Sequence, residues 1–191
     1  MSEATTAVIV LVDGVEEMEA VTPIDLLRRA GVQVTLAALQ DSLKVTGRNK
    51  IVLQAEEAFA PEQALACDCL ILPGGPGTAK LKAHTGLREV IQQRHTAGRL
   101  TAAICAAPTV LHAAGVLAAH NFTAHFSVNE ELGGELAEAA VVDAGAVVTS
   151  QGAGTALEFG LHLVQRLKGE ALAAQVATSV QASRTWPMPP A

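Results

Sequence analysis

One cysteine of the chain occupies a position where a thiol could do chemistry. Leu100 to Ile104 is a short apolar run typical of a buried strand, and a run of helix-forming residues starts at Ala106. Cys105 therefore lies on the predicted turn between a strand and a helix. Backbone N–H groups and the dipole at a helix N-terminus favour negative charge, so we expect a lowered thiol pKa and a reactive thiolate. A buried structural cysteine is the alternative interpretation.

A thiolate nucleophile also needs donors for the negative charge that develops on a substrate oxygen. Gly74 and Gly75 follow the apolar run 69–72 after Pro73, and they leave the backbone open to close approach. Their amide N–H groups could stabilise an oxyanion. An ordinary turn that contains glycine and proline is the alternative.

Three acidic residues, Glu16, Glu17 and Glu19, follow the first apolar run of the sequence. Glu16 and Glu19 share one face of a predicted helical turn, so one of them could point over the sheet toward Cys105. A carboxyl group held near a thiolate in a partly dry site should have a raised pKa and could carry a proton. Spacing alone does not choose among the three, and a solvated acidic first turn is the alternative.

His125 follows a predicted short strand over 121–124 and could be a proton partner of the thiol or an ordinary loop histidine. We expect the other five histidines at the surface: His84, His95, His112, His120 and His162. No spacing of histidines and cysteines indicates a metal site. Cys67 and Cys69 are predicted to line one face of a strand.

The elements that must position these residues alternate between strands and helices. Strands are predicted over 6–13, 32–39, 69–72, 100–104, 140–142 and 146–149, and helices over 16–30, 78–97, 106–117, 156–167 and 170–180. This alternation predicts a doubly wound α/β fold, with a mostly parallel sheet between two layers of helices. The segment 44–54 reads as a hairpin outside that sheet. Functional groups in such sheets gather beyond the carboxyl ends of the strands.

Composition restricts the classes of partner. The 191 residues predict one domain over 1–191, with a loosely held tail from about 183. A net charge of −6 and the absence of long basic or apolar runs argue against nucleic acid and membrane partners, so we expect a cytoplasmic protein. Gly152 and Gly154 precede a helix, but Leu157 stands where a dinucleotide motif needs a third glycine.

Three motifs together closely resemble the ThiJ/PfpI superfamily. They are Ala102 to Thr109 (AAICAAPT), Leu72 to Gly75 (LPGG) and Gly14 to Glu19 (GVEEME). Within the superfamily the chain is similar to the DJ-1 subgroup, which contains the Parkinson-linked protein and bacterial relatives, and the match runs from Val8 to about Val180. The resemblance implies a flavodoxin-like sandwich, usually a homodimer, with no metal or organic cofactor.

The same resemblance implies roles for individual residues. Cys105 would be the nucleophile or redox-sensitive thiol, and Glu19 would be the protonated carboxyl beside it. Backbone N–H groups of Gly75 and Ala106, with the neighbouring Gly74, would bind an oxyanion, and His125 would stand near the thiol. Arg48, together with Glu16, would act across a dimer interface.

The resemblance implies an enzyme that acts on small reactive aldehydes or glycated amines, similar to glutathione-independent glyoxalases and protein deglycases. The alternative is a redox sensor or stress chaperone that works through oxidation of Cys105. Amidase or protease chemistry ranks last, since Ala106 occupies the position where those branches place a histidine.

Overall fold

The computed structural model describes residues 4–117, 121–133 and 136–182, so the tail from about 183 and His120 lie outside the described residues. The continuous apolar runs form a seven-stranded sheet that is buried on both faces. In spatial order its strands are β5 (Glu57–Ala58), β2 (Gln33–Ala38), β1 (Thr6–Leu11), β6 (Cys69–Leu72), β7 (Leu100–Ile104), β9 (Val147–Ser150) and β8 (Val141–Asp143). All neighbours pair in parallel except β8 and β9.

Helices cover both faces of this sheet, which confirms the predicted fold class. Side chains such as Ile9, Leu27 and Phe159 form one apolar core under α1 (Glu17–Arg29), α7 (Ala156–Lys168) and α8 (Glu170–Ser179). A second core lies on the opposite face, under α2 (Pro61–Ala66), α3 (Thr78–Ala83), α4 (Thr85–Thr96), α5 (Pro108–Ala113) and α6 (Asn129–Leu132). None of the helices in the described residues is long and apolar enough to cross a membrane.

The segment 44–54 forms the predicted hairpin apart from the main sheet. Its strands β3 (Lys44–Thr46) and β4 (Val52–Gln54) pair antiparallel. Backbone bonds tie the hairpin to the first strand-to-helix connection, since Gly14 N–H donates to Thr46 O at 2.8 Å and Arg48 N–H donates to Val15 O at 2.9 Å. The hairpin loop is therefore held beside the start of α1.

Three predicted elements are wrong in detail. The helix predicted over 78–97 is two helices, because His84 interrupts it and its ring Nδ1 accepts the Leu87 N–H at 3.1 Å. The helix predicted over 106–117 begins only at Pro108 and ends at Ala113. The segment 121–124 is not a strand: Thr123 N–H donates to the side chain of Thr149 instead of joining a ladder. The prediction that Cys67 and Cys69 line one face of a strand is also wrong. Only Cys69 lies in β6, and Cys67 is the C-cap of α2.

Candidate active site

Cys105 sits on a sharp turn immediately after β7. Its φ of +65° lies in the left-handed region, which costs a residue with a side chain roughly 1–2 kcal/mol. Hydrogen bonds on both sides hold this conformation: Cys105 N–H donates to Ser150 O, and His125 N–H donates to Cys105 O, each at 2.9 Å. Cys105 is 8% exposed, so the residue is buried.

Glu19, in the first turn of α1, is the acid that reaches Cys105. Its side chain is buried, its Oε2 accepts the Gly74 N–H at 2.9 Å, and its carboxyl hydrogen-bonds the thiol. Gly74 permits this approach, because a Cβ there would lie 2.5 Å from Glu19 Oε2 and 2.6 Å from Cys105 Cβ. The three segments that carry the resemblance thus meet at one point.

The other two acids have different structural roles. Glu16 is buried at the N-cap of α1, and its Oε2 accepts the Glu19 N–H at 2.9 Å. Glu17 turns away toward the hairpin loop, where Oε1 accepts the Asn49 N–H at 2.8 Å and Oε2 accepts Asn49 Nδ2 at 3.1 Å. Of the three acids, Glu19 alone contacts the thiol in this structure. The spacing of the acids in the sequence does not identify which of them does so.

Burial determines the proton affinities of the thiol and carboxyl. Desolvation, followed by repulsion from Glu16, raises the pKa of Glu19 to about 7, although the bonds from Cys105 and Gly74 oppose the shift. Desolvation, followed by the charge of Glu19, raises the pKa of the Cys105 thiol to about 12. The carboxyl and the thiol together hold two protons at low pH. Near neutral pH the pair therefore loses the first proton, while the second stays bound.

The predicted lowering of the thiol pKa is wrong. The expected helix N-terminus is not at the sulfur, because α5 starts only at Pro108. N–H groups of Gly75 and Ala106 do hydrogen-bond the sulfur and lower its pKa, but burial outweighs them. Activation of this thiol consequently requires a base, and Glu19 is in position to be that base.

The backbone N–H groups around the site bond two different side chains. Gly75 and Ala106 direct their N–H groups at the sulfur, where they can also serve an adjacent oxyanion. The Gly74 N–H is instead bonded to Glu19, so Gly74 positions the acid. Gly75 has a φ of +93° and packs against the carbonyl of Gly14, which leaves no space for a side chain.

His125 is half-buried beside the site, but its ring is bonded elsewhere. Ring Nδ1 lies 2.8 Å from Ser127 Oγ and accepts the Ser127 N–H at 3.3 Å. Gly152 lies beside both the His125 ring and the thiol, since a Cβ there would lie 3.5 Å from His125 Cδ2 and 4.0 Å from Cys105 Sγ. The sequence places Gly152 directly beyond a predicted strand, where functional groups gather, but no local pattern indicates that it packs against the thiol.

Arg48 lies on the exposed hairpin loop, and its charge lowers the pKa of Glu19 within the same chain. Its cross-dimer role, like that of Glu16, stays a prediction. Within 4–117, 121–133 and 136–182, no group of three or more His, Cys, Asp or Glu residues could hold a metal ion.

A cavity of about 580 Å³ opens beside the site, and both His125 and Gly152 line it. Its walls come from 124–126, Asn129, 136–138 and 151–155.

Comparisons with known proteins show which chains this one is similar to. The chain is 35% identical over 182 residues to the Parkinson disease protein 7 homolog of Danio rerio, covering 89% of this chain and 93% of the relative. It is also 35% identical over 158 residues to the glutathione-independent glyoxalase DJR-1.2 of Caenorhabditis elegans, covering 81% and 83% of the two chains.

Solved structures give the same result. Drosophila melanogaster DJ-1beta superposes with a TM-score of 0.88 and 31% identity, covering 95% of this chain and all of that one. The VC2308 protein superposes with a TM-score of 0.86 and 35% identity, covering 93% of each chain. The DJ-1/PfpI family profile matches residues 5–166, and the chain belongs to the DJ-1/PfpI family.

Proposed function

We propose that this chain is a cysteine-dependent enzyme that converts reactive 2-oxoaldehydes, such as methylglyoxal and glyoxal, into 2-hydroxy acids without glutathione. The observation that carries the proposal is the buried contact between the Glu19 carboxyl and the Cys105 thiol, with two backbone N–H groups on the sulfur. The name of the Caenorhabditis elegans relative, a glutathione-independent glyoxalase, supports the same chemistry.

The first step makes a covalent bond between sulfur and the aldehyde carbon. The Glu19 carboxylate accepts the thiol proton as sulfur attacks, and the π electron pair of the aldehyde moves to its oxygen. We expect the N–H groups of Gly75 and Ala106, which bond the sulfur, to donate to that oxygen as it becomes negative. Protonation of the oxygen gives a hemithioacetal.

The second step is an internal redox exchange that needs no external oxidant. Glu19 takes the proton from the carbon bonded to sulfur and a proton returns to the neighbouring carbonyl carbon, so the first carbon is oxidised to a thioester and the second is reduced to an alcohol. A pKa of about 7 allows Glu19 both to take and to give a proton near neutral pH. Water then hydrolyses the thioester, which releases the 2-hydroxy acid and restores the thiol.

Turnover of methylglyoxal by the purified chain tests the proposal. We expect Cys105→Ser to lower kcat/KM at least about 100-fold, because the covalent step is lost. Cys67→Ser is the matched control, since Cys67 is another buried cysteine, at the C-terminal end of α2, and it should retain the parent rate. Equal rates for the parent and Cys105→Ser would refute the proposal that the chain is a cysteine-dependent enzyme.

A redox sensor is the second candidate, since the same carboxyl and amides could hold oxidised sulfur. Hydrogen peroxide would oxidise the thiol to a sulfenic acid and then to a sulfinate, releasing water at each step, and protonated Glu19 would donate to the sulfinate. Toxoplasma gondii DJ-1, which is 27% identical to this chain, has a solved structure of its oxidized form. Intact-mass analysis after mild peroxide treatment tests this role: a selective gain of two oxygens at Cys105 supports sensing, and its absence refutes it.

Repair of glycated amines would use the same thiol on an aldehyde already bound to an amine. The distinguishing quantity is the rate at which the chain frees a glycated amine compared with spontaneous release of the aldehyde. A faster, Cys105-dependent rate supports direct repair. A rate equal to spontaneous release leaves only scavenging of the free aldehyde.

A further inference from the structure

Gly152 has no side chain to place against the sulfur, and this leaves room in the site for one carbon atom. A Cβ at Gly152 would lie 4.0 Å from Cys105 Sγ, 3.9 Å from Glu19 Oε1 and 3.5 Å from His125 Cδ2, and these are its nearest atoms outside the adjoining residues of the chain. All three distances are ordinary van der Waals contacts. We call the space bounded by these four residues the glycine subsite.

Hydrogen bonds fix Gly152 at this distance from the thiol. Gly152 N–H donates to Thr155 Oγ1 at 3.1 Å, and Thr155 N–H donates to Gly152 O at 2.9 Å. Thr155 Oγ1 lies 2.7 Å from the hydroxyl oxygen of Ser150, which is fully buried. Ser150 also accepts the Cys105 N–H on its backbone oxygen. Since Gly152 and Cys105 are both anchored on Ser150, the size of the glycine subsite is set by the backbone.

The glycine subsite suits a carbon atom better than an oxygen atom. Its three nearest atoms are the sulfur, a ring carbon of His125 and a carboxyl oxygen, and none of these three is a donor nitrogen. The Gly152 N–H is already bonded to Thr155. A carbonyl oxygen of a bound substrate should face the N–H groups of Gly75 and Ala106 instead.

The distance to the sulfur indicates which carbon of a substrate lies in the glycine subsite. A carbon 4.0 Å from Cys105 Sγ contacts the sulfur without being bonded to it, so it is not the carbon that the sulfur attacks. In the adduct of a 2-oxoaldehyde, the aldehyde carbon is bonded to sulfur, the ketone carbon follows, and the substituent on the ketone carbon is the third atom. Three bonds in an extended arrangement span about 4 Å, as they do between consecutive Cα atoms.

Building on the proposed function, we propose that Gly152 determines which 2-oxoaldehydes are substrates, because the glycine subsite holds the substituent on the ketone carbon. The methyl group of methylglyoxal fills this space, whereas glyoxal has only a hydrogen there. The chemical steps at the sulfur are those given above. A side chain at position 152 should therefore exclude methylglyoxal while the contact between Glu19 and Cys105 stays intact.

Gly152→Ala tests this assignment through kcat/KM for methylglyoxal and for glyoxal. The backbone of Gly152 is extended, with a φ of 162°, so alanine fits without backbone strain. We expect kcat/KM for methylglyoxal to fall at least about tenfold and that for glyoxal to change less than about threefold. Gly154→Ala is the matched control in the same loop, because its Cβ would meet no atom within 4 Å, and it should leave both values unchanged. An equal fall for both substrates, or no fall for methylglyoxal, would overturn the proposal.

Two further measurements show whether Gly152→Ala acts by occupying space alone. The urea midpoint of unfolding should be no lower than that of the parent, and alkylation of Cys105 by iodoacetamide should keep its inflection at about pH 7. Both results together support the glycine subsite. A lower midpoint or a lost inflection would mean that the added methyl disturbs the thiol and the carboxyl themselves, which would overturn the assignment.

Alkylation by chloroacetone and chloroacetaldehyde separates this proposal from the proposed enzyme. In each reaction the sulfur displaces chloride from a CH₂ group and Glu19 takes the thiol proton, so the third atom from the sulfur is a methyl carbon or a hydrogen. Each rate at Cys105 is divided by the rate constant with a free small thiol. Gly152→Ala should lower the ratio of chloroacetone to chloroacetaldehyde about tenfold, even if no aldehyde is turned over. An unchanged ratio overturns the glycine subsite even if methylglyoxal is turned over.

Discussion

At the scale of single residues, the site depends on how closely Glu19 and Cys105 approach. Gly74 is the residue that sets this distance, since it lies against both side chains and donates its N–H to the carboxylate. Its φ is not in the left-handed region, so the requirement for glycine comes from space and not from backbone conformation. The motif around Gly74 therefore positions the acid beside the thiol.

Gly74→Ala should damage both activity and stability. The added methyl would lie 2.5 Å from Glu19 Oε2 and 2.6 Å from Cys105 Cβ, so the pair must separate. We expect a loss of about 1–3 kcal/mol in the free energy of unfolding and at least a tenfold fall in kcat/KM for methylglyoxal. Urea unfolding and steady-state kinetics measure the two effects.

The control for stability is Gly154→Ala, where a Cβ would meet no atom within 4 Å and the backbone is not left-handed. This change should cost little. If Gly74→Ala were as stable and active as the parent, the tight packing described for the pair would be wrong.

Sequence and resemblance together located most of these residues. Cys105 was predicted at a strand end because the apolar run stops there, and the family motif selected Glu19. The pKa of the thiol was predicted with the wrong sign, because its burial and the charge of Glu19 depend on segments far apart in the chain. The packing of Gly152 against the sulfur is likewise a tertiary contact with no local pattern.

At the scale of elements, a buried carboxylate joins α1 to the hairpin. Glu17 Oε1 accepts N–H groups of Asn49 and Ile51, at 2.8 Å and 3.4 Å, and Gly47 is in direct contact with the same carboxylate. Arg48 lies between these residues and acts on Glu19. Glu17 thereby fixes the loop that brings a positive charge toward Glu19 and Cys105.

Glu17→Gln should destabilise the protein in a pH-dependent manner. Burial opposes ionisation of Glu17, but the bonds from backbone N–H groups and Asn49 together outweigh it and lower its pKa below 4.5. A lowered carboxyl pKa contributes stability above the ordinary pKa, and this contribution is lost as pH falls through the lowered value. We expect a cost of about 1–3 kcal/mol at pH 7 that shrinks toward about pH 3.

Urea unfolding of Glu17→Gln at both pH values checks this prediction. Glu89→Gln, which changes an exposed acid on α4, is the control and should behave like the parent. A cost that is the same at both pH values would mean that the charge of Glu17 is not what holds the loop.

Some connections between elements were not predictable from the sequence. Helical spacing places Arg94 on the apolar face of α4, where it is fully buried. Its guanidinium donates to the carbonyl oxygens of Ala64, Cys67 and Leu100. It joins α4 to α2 and to the beginnings of two strands. No local pattern indicates that a cation in a helix will satisfy the carbonyl groups of distant segments.

At the scale of the whole molecule, four large apolar side chains are exposed on adjoining elements. Met18 and Val21 lie on α1, and Ile51 and Val52 lie on the hairpin, with exposed fractions of 46–56%. Glu17 holds the two elements together, so the four side chains belong to neighbouring parts of one surface. We propose this surface as the interface of the homodimer that the family resemblance implies.

A charge placed on this surface should shift the oligomeric state. Met18→Asp combined with Val52→Asp should convert a dimer to a monomer, because burying a carboxylate in an apolar interface is unfavourable. Light scattering after size-exclusion chromatography measures the mass. Phe126→Asp is the control, since it changes the other strongly exposed large apolar side chain of the described residues and should leave the dimer intact. A monomeric parent would contradict the proposed interface.

The central claim is that Cys105 and Glu19 act as one acid–base unit, and the pH dependence of Cys105 alkylation tests it most directly. The rate of reaction with iodoacetamide is followed on the Cys105 peptide by mass spectrometry, for the parent and for Glu19→Gln. The account predicts that parent reactivity rises with pH through an inflection at about 7, where the pair loses its first proton, and that Glu19→Gln has no inflection there. The same inflection in both proteins, or parent reactivity that starts to rise only near the pKa of an ordinary thiol, would contradict it.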